Sequence, residues 1–304
     1  MTWPLMLFLI IFVLIFVLRM PIPMGLMTAC IFYFIATGQD VKMVGQQTLK
    51  TFYTNYTIIA VPLFIFAANV MNSGKVTEKV FGFAKGFVGR FKGGLGHVNV
   101  LASLVFSGMT GSAIADASGL GKMEIDAMRQ EGYDDGFSCA ITAASATIGP
   151  IFPPSIPMVI YSMLSGASVG ALFMGGMVPG VLLAVALMFY VAYVAHKRNY
   201  PRSEKVGLRA FLKYTFQAIP AILTPVILLV GIYTGVMTPT EAGAVAGLYA
   251  LLISVFAYRM LSWSGLKKVL IDTVKSVGSV SLMIGAATCI SYIVAREQIA
   301  VKVG

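Results

Sequence analysis

Two short runs hold most of the residues able to do chemistry. The first is Ser107-Gly108-Met109-Thr110-Gly111-Ser112-Ala113-Ile114-Ala115-Asp116. It sets hydroxyls and glycines in the middle of a moderately apolar stretch and follows them with a carboxylate. Glycine lets a helix break and lets backbones approach closely. A break at membrane depth strands carbonyls and N–H groups that lipid cannot satisfy, so it is tolerated where it lines a cavity or binds something. Free carbonyls with the hydroxyls of Thr110 and Ser112 suit a hard cation such as sodium, and the N-terminus of the next helix suits an anion. Close packing through small residues would also explain the glycines and serines. It does not explain Asp116, because a carboxylate at that depth is expensive without a role.

The second run is Ala143-Ala144-Ser145-Ala146-Thr147-Ile148-Gly149-Pro150-Ile151-Phe152-Pro153-Pro154-Ser155-Ile156-Pro157, with four prolines in its last eight residues. Proline removes an N–H and clashes with the preceding turn, so the helix must unwind near residues 149–154. A simple kink needs one proline. A discontinuous helix beside a binding site accounts for four.

The other polar residues carry less. Lys122, Glu124, Asp126, Arg129, Glu131, Asp134 and Asp135 read as a solvated turn. His97 and His196 have no partner at metal-ligand spacing. Glu241, after Thr238-Pro239-Thr240, is placed to cap the next helix. There is no P-loop, no zinc His-Glu-x-x-His pattern and no nucleophile–base pair. An intramembrane enzyme built on Asp116 would need a second acid or a paired histidine at that depth. The reading is therefore of a protein that is not an enzyme and needs no cofactor.

The elements that must position these runs are membrane helices. Of 304 residues, 58% are hydrophobic and 11% charged, and the mean hydropathy is +0.86. A soluble domain is about 45–50% apolar and about 25% charged, so the excess must face lipid. The net charge of +10 would suggest nucleic acid in a soluble protein. Here Lys and Arg stand between apolar runs, and no base-stacking module is present. They read as positive-inside topology and contact with anionic lipid in the bilayer. Cys30, Cys139 and Cys289 show no metal or redox spacing and read as small buried apolar residues. The first apolar segment lacks a basic leader, which argues against a cleaved signal peptide.

Apolar runs fall at 3–18, 22–37, 54–72, 137–163, 171–195, 216–237, 241–258 and 273–295. Basic residues concentrate in 73–93, in 196–213 and at Arg259, Lys267 and Lys268, which places these segments on the cytoplasmic side and Met1 outside. The stretch 94–121 must then cross an even number of times. A re-entrant hairpin and two short spans both satisfy that parity. Segments 75–92 and 204–216 interleave basic and apolar residues. They read either as amphipathic interfacial arms or as topology signals alone.

Residues 3–72 and 216–295 share an order of span, Pro-containing turn, span, loop, span, and the two sets begin on opposite sides. That is the mark of an inverted-repeat transporter. The first set continues into the Gly/Ser-rich stretch and two more helices. The second reaches Val303-Gly304 without them, so the sequence is expected to be truncated or half of a split protein.

With the two runs in place, the sequence resembles the large M subunit (DctM-like) of TRAP transporters, the tripartite ATP-independent periplasmic type. Phe106 to Ala117 resembles the family's hairpin signature, with Thr110 where the first Ser often stands. Thr147 to Met158 resembles its broken helix. Further matches are Val61-Pro62-Leu63-Phe64-Ile65, Gly93-Gly94-Leu95 and Thr238-Pro239-Thr240-Glu241-Ala242-Gly243.

The resemblance implies an all-α polytopic elevator-type secondary transporter, similar to the ion transporter superfamily, in a bacterial or archaeal inner membrane. It implies an organic acid as substrate, a periplasmic binding protein, a small Q membrane subunit and sodium as coupling ion. It places Thr110, Gly111, Ser112 and Asp116 at the first hairpin tip. It places Ser145, Thr147, Gly149, Pro150, Pro153, Pro154 and Ser155 in the facing unwound segment, with Thr110, Ser112, Gly149 and nearby carbonyls around sodium. Three regions follow: scaffold helices and an interfacial arm at 1–93, an elevator half at 94–195, and a second arm with the start of the second repeat at 196–304. A rival within transport is an inverted-repeat anion symporter that works without a binding protein.

Overall fold

The computed structural model describes residues 3–72, 75–203, 207–259 and 261–299. Glu204, Lys205 and Val206 of the expected second arm lie outside these residues, as do Met1 and Val303-Gly304. The described chain is helical; its only β feature is an isolated backbone bridge between Lys92 and Arg202. Among the described residues four helices are long and apolar enough to cross a membrane, or five if the bent pair Lys42–Thr54 and Tyr56–Asn72 counts as one span.

One compact unit comprises the residues up to Tyr56 and those from Val274 onward. Helices α1 (Trp3–Val17) and α2 (Ile22–Ala36) form a hairpin around Pro21 and Pro23. Each has 15 residues, about 22 Å at 1.5 Å per residue, which is short against a hydrocarbon core of about 30 Å. Helix α3 (Lys42–Thr54) occupies most of what the hydropathy reading left as a polar loop. Its average is polar, but its polar and apolar residues separate onto two faces, which a running average hides. Tyr33, Phe34, Cys30, Cys289 and Ile293 are fully buried in one core. The Tyr33 hydroxyl donates to Glu297 Oε1 at 2.7 Å. Cys30 and Cys289 meet in that core, as small buried residues. Cys139 does not follow the expectation and is exposed on α8.

The second unit runs from Thr57 to Thr273 and contains both chemical runs. Helix α4 (Ala60–Asn72) packs along α12 (Pro239–Leu252). Helices in lipid gain little from hydrophobic association and rely on close packing. Accordingly, a Cβ on Gly243 of α12 would stand 2.9 Å from the Phe64 ring. The start of α12 is a full capping box: Thr238 Oγ1 accepts from the Glu241 N–H, and the Glu241 carboxylate accepts from the Thr238 N–H at 2.7 Å.

Helix α5 (Lys75–Val88) covers most of the first expected arm. It turns Val76, Val80 and Ala84 inward, all fully buried, and leaves Phe87 exposed. The second arm is not a separate helix over the described residues. Leu208 begins α11 (Leu208–Tyr233), which continues without interruption into the expected span. Likewise Lys267 and Lys268 sit not in a loop but in the opening turns of α13 (Trp263–Arg296).

The stretch 94–121 folds as two helices, α6 (Gly94–Thr110) and α7 (Ala113–Gln130), packed on each other around a break at Gly111-Ser112. The apolar run 137–163 is interrupted: α8 (Asp135–Ala146) and α9 (Ile156–Ser165) flank a non-helical segment at 147–155. Helix α10 (Val169–Lys197) follows as a 29-residue span.

Candidate functional site

The two breaks meet. Gly111 ends α6 in the left-handed region at φ 59°, where a side chain is strained. A Cβ there would lie 2.5 Å from the Pro154 carbonyl oxygen. The Gly111 carbonyl accepts the Ile156 N–H at 3.3 Å. From the other side, a Cβ on Gly149 would lie 3.1 Å from the Ala113 nitrogen and the Ser112 carbonyl carbon. Each glycine therefore lets the other segment's backbone come into contact, and one of the groups freed by the α8–α9 break is satisfied by the α6–α7 break.

Serine caps both new helix starts. Ser112 Oγ accepts from the Ala115 N–H at 3.4 Å. Ser155 Oγ accepts from the Met158 N–H at 3.4 Å and donates to the Pro150 carbonyl at 2.6 Å. Two helix N-termini thus open at one junction, each with its partial positive charge. The Pro153–Pro154 bond is cis, and Pro153, Pro154 and Ser155 are buried.

The remaining expected residues divide. Thr110 is buried, and its hydroxyl turns back to the Phe106 carbonyl at 3.3 Å. Thr147 ends α8, is exposed, and donates to the Ala144 carbonyl at 2.6 Å. Ser145 belongs to a buried polar ladder between α6 and α8. It donates to Asn99 Oδ1 at 2.7 Å and accepts from Ser103 Oγ at 3.1 Å, while Asn99 Nδ2 donates to Thr142 Oγ1 at 2.7 Å. This ladder fixes the two helices against each other. Asn99, Ser103 and Thr142 were not singled out from the sequence, though they stand four or so residues apart on their helices.

Asp116 is 1% exposed, and neither carboxylate oxygen has a hydrogen-bond partner. The Ser103 hydroxyl, already committed to Ser145, lies beside it. Glu124 corrects the sequence reading. Expected in a solvated turn, it is 1% exposed, with both oxygens unpartnered. Helix α7 runs on to Gln130, and Asp116, Leu120, Glu124 and Met128 form one buried stripe along it. The actual turn is shorter, at 131–134.

Beside the tip, Thr110, Pro154, Phe64, Thr224 and Pro225 enclose a space of about 10 Å³, room for a single water. Among the described residues there is no group of three or more His, Cys, Asp or Glu arranged to hold a metal. A cation here would rest on carbonyls, hydroxyls and Asp116.

An all-α polytopic bundle that brings two broken membrane elements together by their backbones is a transporter architecture. Residues 8–304 match the family model described as the tripartite ATP-independent periplasmic transporter, DctM component. The chain belongs to this family. It is 44% identical over 281 residues to the sialic acid TRAP transporter large permease protein SiaM of Vibrio cholerae, covering 92% of this chain and 66% of that protein. It is 42% identical to the sialic acid TRAP transporter permease protein SiaT of Haemophilus influenzae, covering 93% and 46%. It is 36% identical to the C4-dicarboxylate TRAP transporter large permease protein DctM of Pseudomonas aeruginosa, covering 84% and 60%. The chain thus spans between about half and two thirds of these relatives. All three are named as permeases, which fits a transport protein rather than an enzyme.

Proposed function

We propose that this chain is part of the large membrane subunit of a binding-protein-dependent secondary importer that carries an organic acid with sodium. Its place is the cytoplasmic membrane of a bacterium or archaeon, with Met1 on the periplasmic side. A small Q membrane subunit and a periplasmic substrate-binding protein complete the system. The observation that carries the reading is the junction of the two breaks, where Gly111 and Gly149 each admit the other segment's backbone. Two capped helix N-termini favour a carboxylate substrate. Carbonyls near Thr110, Ser112 and Gly149, with Asp116, favour a sodium ion. The relatives' names support an organic anion, since sialic acid and C4-dicarboxylates are both carboxylates at neutral pH.

Residues 94–195 form the mobile part in this reading, with 1–93 and 196–304 supplying scaffold and arms. Motion follows differential binding of substrate and sodium to the outward- and inward-facing states.

The test is uptake of radiolabelled organic acids into proteoliposomes holding the full-length gene product, its small subunit and its binding protein. Uptake that requires sodium and the binding protein, and that falls in Ser112→Ala and Asp116→Ala, is expected. Uptake without the binding protein would favour a simpler anion symporter. Unchanged sodium dependence in the variants would remove the hairpin from the site.

A further inference from the structure

The cations near the entrance to the hairpin are not equivalent. Lys85 pairs with Glu131 at 3.1 Å, Arg198 with Asp134 at 2.7 Å, and Arg129 with Asp135 at 2.5 Å. Arg90, Lys92 and Arg202 have no carboxylate partner among the described residues. Among the described residues Lys92 Nζ donates to the neutral Asn199 Oδ1, at 2.9 Å. Arg90 lies over the Phe91 ring at 5.4 Å. The backbone bridge between Lys92 and Arg202 holds two of the three side by side.

These three cations line one groove of about 620 Å³, and among the described residues no acidic one lines it. Its floor is apolar: Val185, Met188 and Phe189, from one face of α10. Phe189 is 73% exposed. The floor continues along α10 into a strip of exposed apolar residues that includes Leu182 and Val178. Val185 stands twelve residues before Lys197, the end of the span, so the floor reaches about 18 Å down from the basic end. A cationic mouth over an apolar channel of that depth matches a phosphate headgroup with an acyl chain beneath it.

We propose that this groove is a binding site for an anionic phospholipid. Its phosphate is held by Arg90, Lys92 and Arg202, and an acyl chain lies on Val185, Met188 and Phe189. The site sits where the first arm passes into the hairpin, next to the Gly93 N–H that donates to the Pro201 carbonyl at 3.1 Å. A bound headgroup there ties residues 90–92 to Arg202 and the end of α10. The inference does not depend on which solute is carried.

The experiment uses the full-length permease in nanodiscs of phosphatidylcholine with graded phosphatidylglycerol. Native mass spectrometry reads retained lipid, and a thermal midpoint reads stability. The wild type is expected to retain phosphatidylglycerol selectively and to melt higher as its fraction rises. Arg90→Gln/Lys92→Gln/Arg202→Gln is expected to lose retention by roughly a hundredfold while melting as the wild type does in phosphatidylcholine alone. Phe189→Asn, which leaves the cations in place, is expected to weaken retention. Equal retention of phosphatidylcholine by the wild type, or undiminished phosphatidylglycerol in the triple variant, would overturn the site. An equal rise in midpoint with inorganic phosphate would make it a bare anion site, and the lipid assignment would fall.

Discussion

A methyl group at Gly111 has nowhere to go. The residue's φ of 59° is unfavourable for a side chain, and the Pro154 carbonyl stands 2.5 Å from where Cβ would be. Gly111→Ala is expected to cost about 1–3 kcal/mol and to abolish uptake, read as a lowered thermal midpoint together with transport assays. Glu124 poses the opposite question. An unpaired buried carboxyl is a cost rather than a support, so Glu124→Leu is expected to leave the midpoint unchanged or raise it. A clear fall would mean that the carboxyl holds an ion or a partner when the protein is in its membrane. Gly111 was legible in the sequence because it stands with Ser112 in a run that leads to Asp116, a carboxylate that small-residue packing does not explain. Glu124 was not, because its charged neighbours Lys122, Asp126 and Arg129 are exposed and made the segment look solvated. The signal was nonetheless present in the four-residue spacing of Asp116, Leu120, Glu124 and Met128.

At the scale of elements, the α7–α8 turn works as a clasp. Asp134 caps α8 by accepting the Phe137 N–H at 2.9 Å. It also accepts from the Tyr200 hydroxyl and from Arg198, and Tyr200 stacks on Tyr133 with ring centroids 4.4 Å apart. Donation from Tyr200 first, and from the Phe137 N–H next, holds the Asp134 carboxyl down at about 2. Its unfolded value is about 3.9. The stabilisation it gives is therefore present above about pH 4 and is lost as the pH falls through about 2. Asp134→Asn is expected to flatten that acid limb in a stability-versus-pH curve. Asp134→Ala is expected to cost about 1 kcal/mol from the lost cap at neutral pH. The helix breaks were legible because proline and glycine act locally. The continuity of α11 was not, because Arg209 and Lys213 look like a separate arm in a hydropathy trace. A helix end can carry such residues with their charged tips in the interface.

For the whole molecule, the proposed orientation makes a direct prediction. In a Cys139→Ser background, where Cys30 and Cys289 are buried, Asp40→Cys and Val236→Cys are expected to react with a membrane-impermeant thiol reagent in intact cells. Lys213→Cys is expected to react only after the membrane is opened. The reverse pattern would invert the topology. Both introduced outer positions are exposed, Val236 at 76%. Composition made the membrane class plain, and the positions of Lys and Arg supplied a topology. The polar ladder among Asn99, Ser103, Thr142 and Ser145 was beyond reach, because it depends on which faces of α6 and α8 meet.

The hydrogen bond from Ile156 to Gly111 also sets an order of events during synthesis. When Gly111 leaves the ribosome, the residues that will cover it have not been made. At about 5–20 residues per second, the hairpin waits on the order of seconds for Pro154 and Ile156 to follow. During that interval its tip has no backbone to lean on, and the insertion machinery must shelter it. Nascent chains stalled so that Gly111 has emerged from the ribosome but Pro154 has not should therefore expose the tip to proteases or chaperones, whereas chains stalled with α9 fully emerged should not.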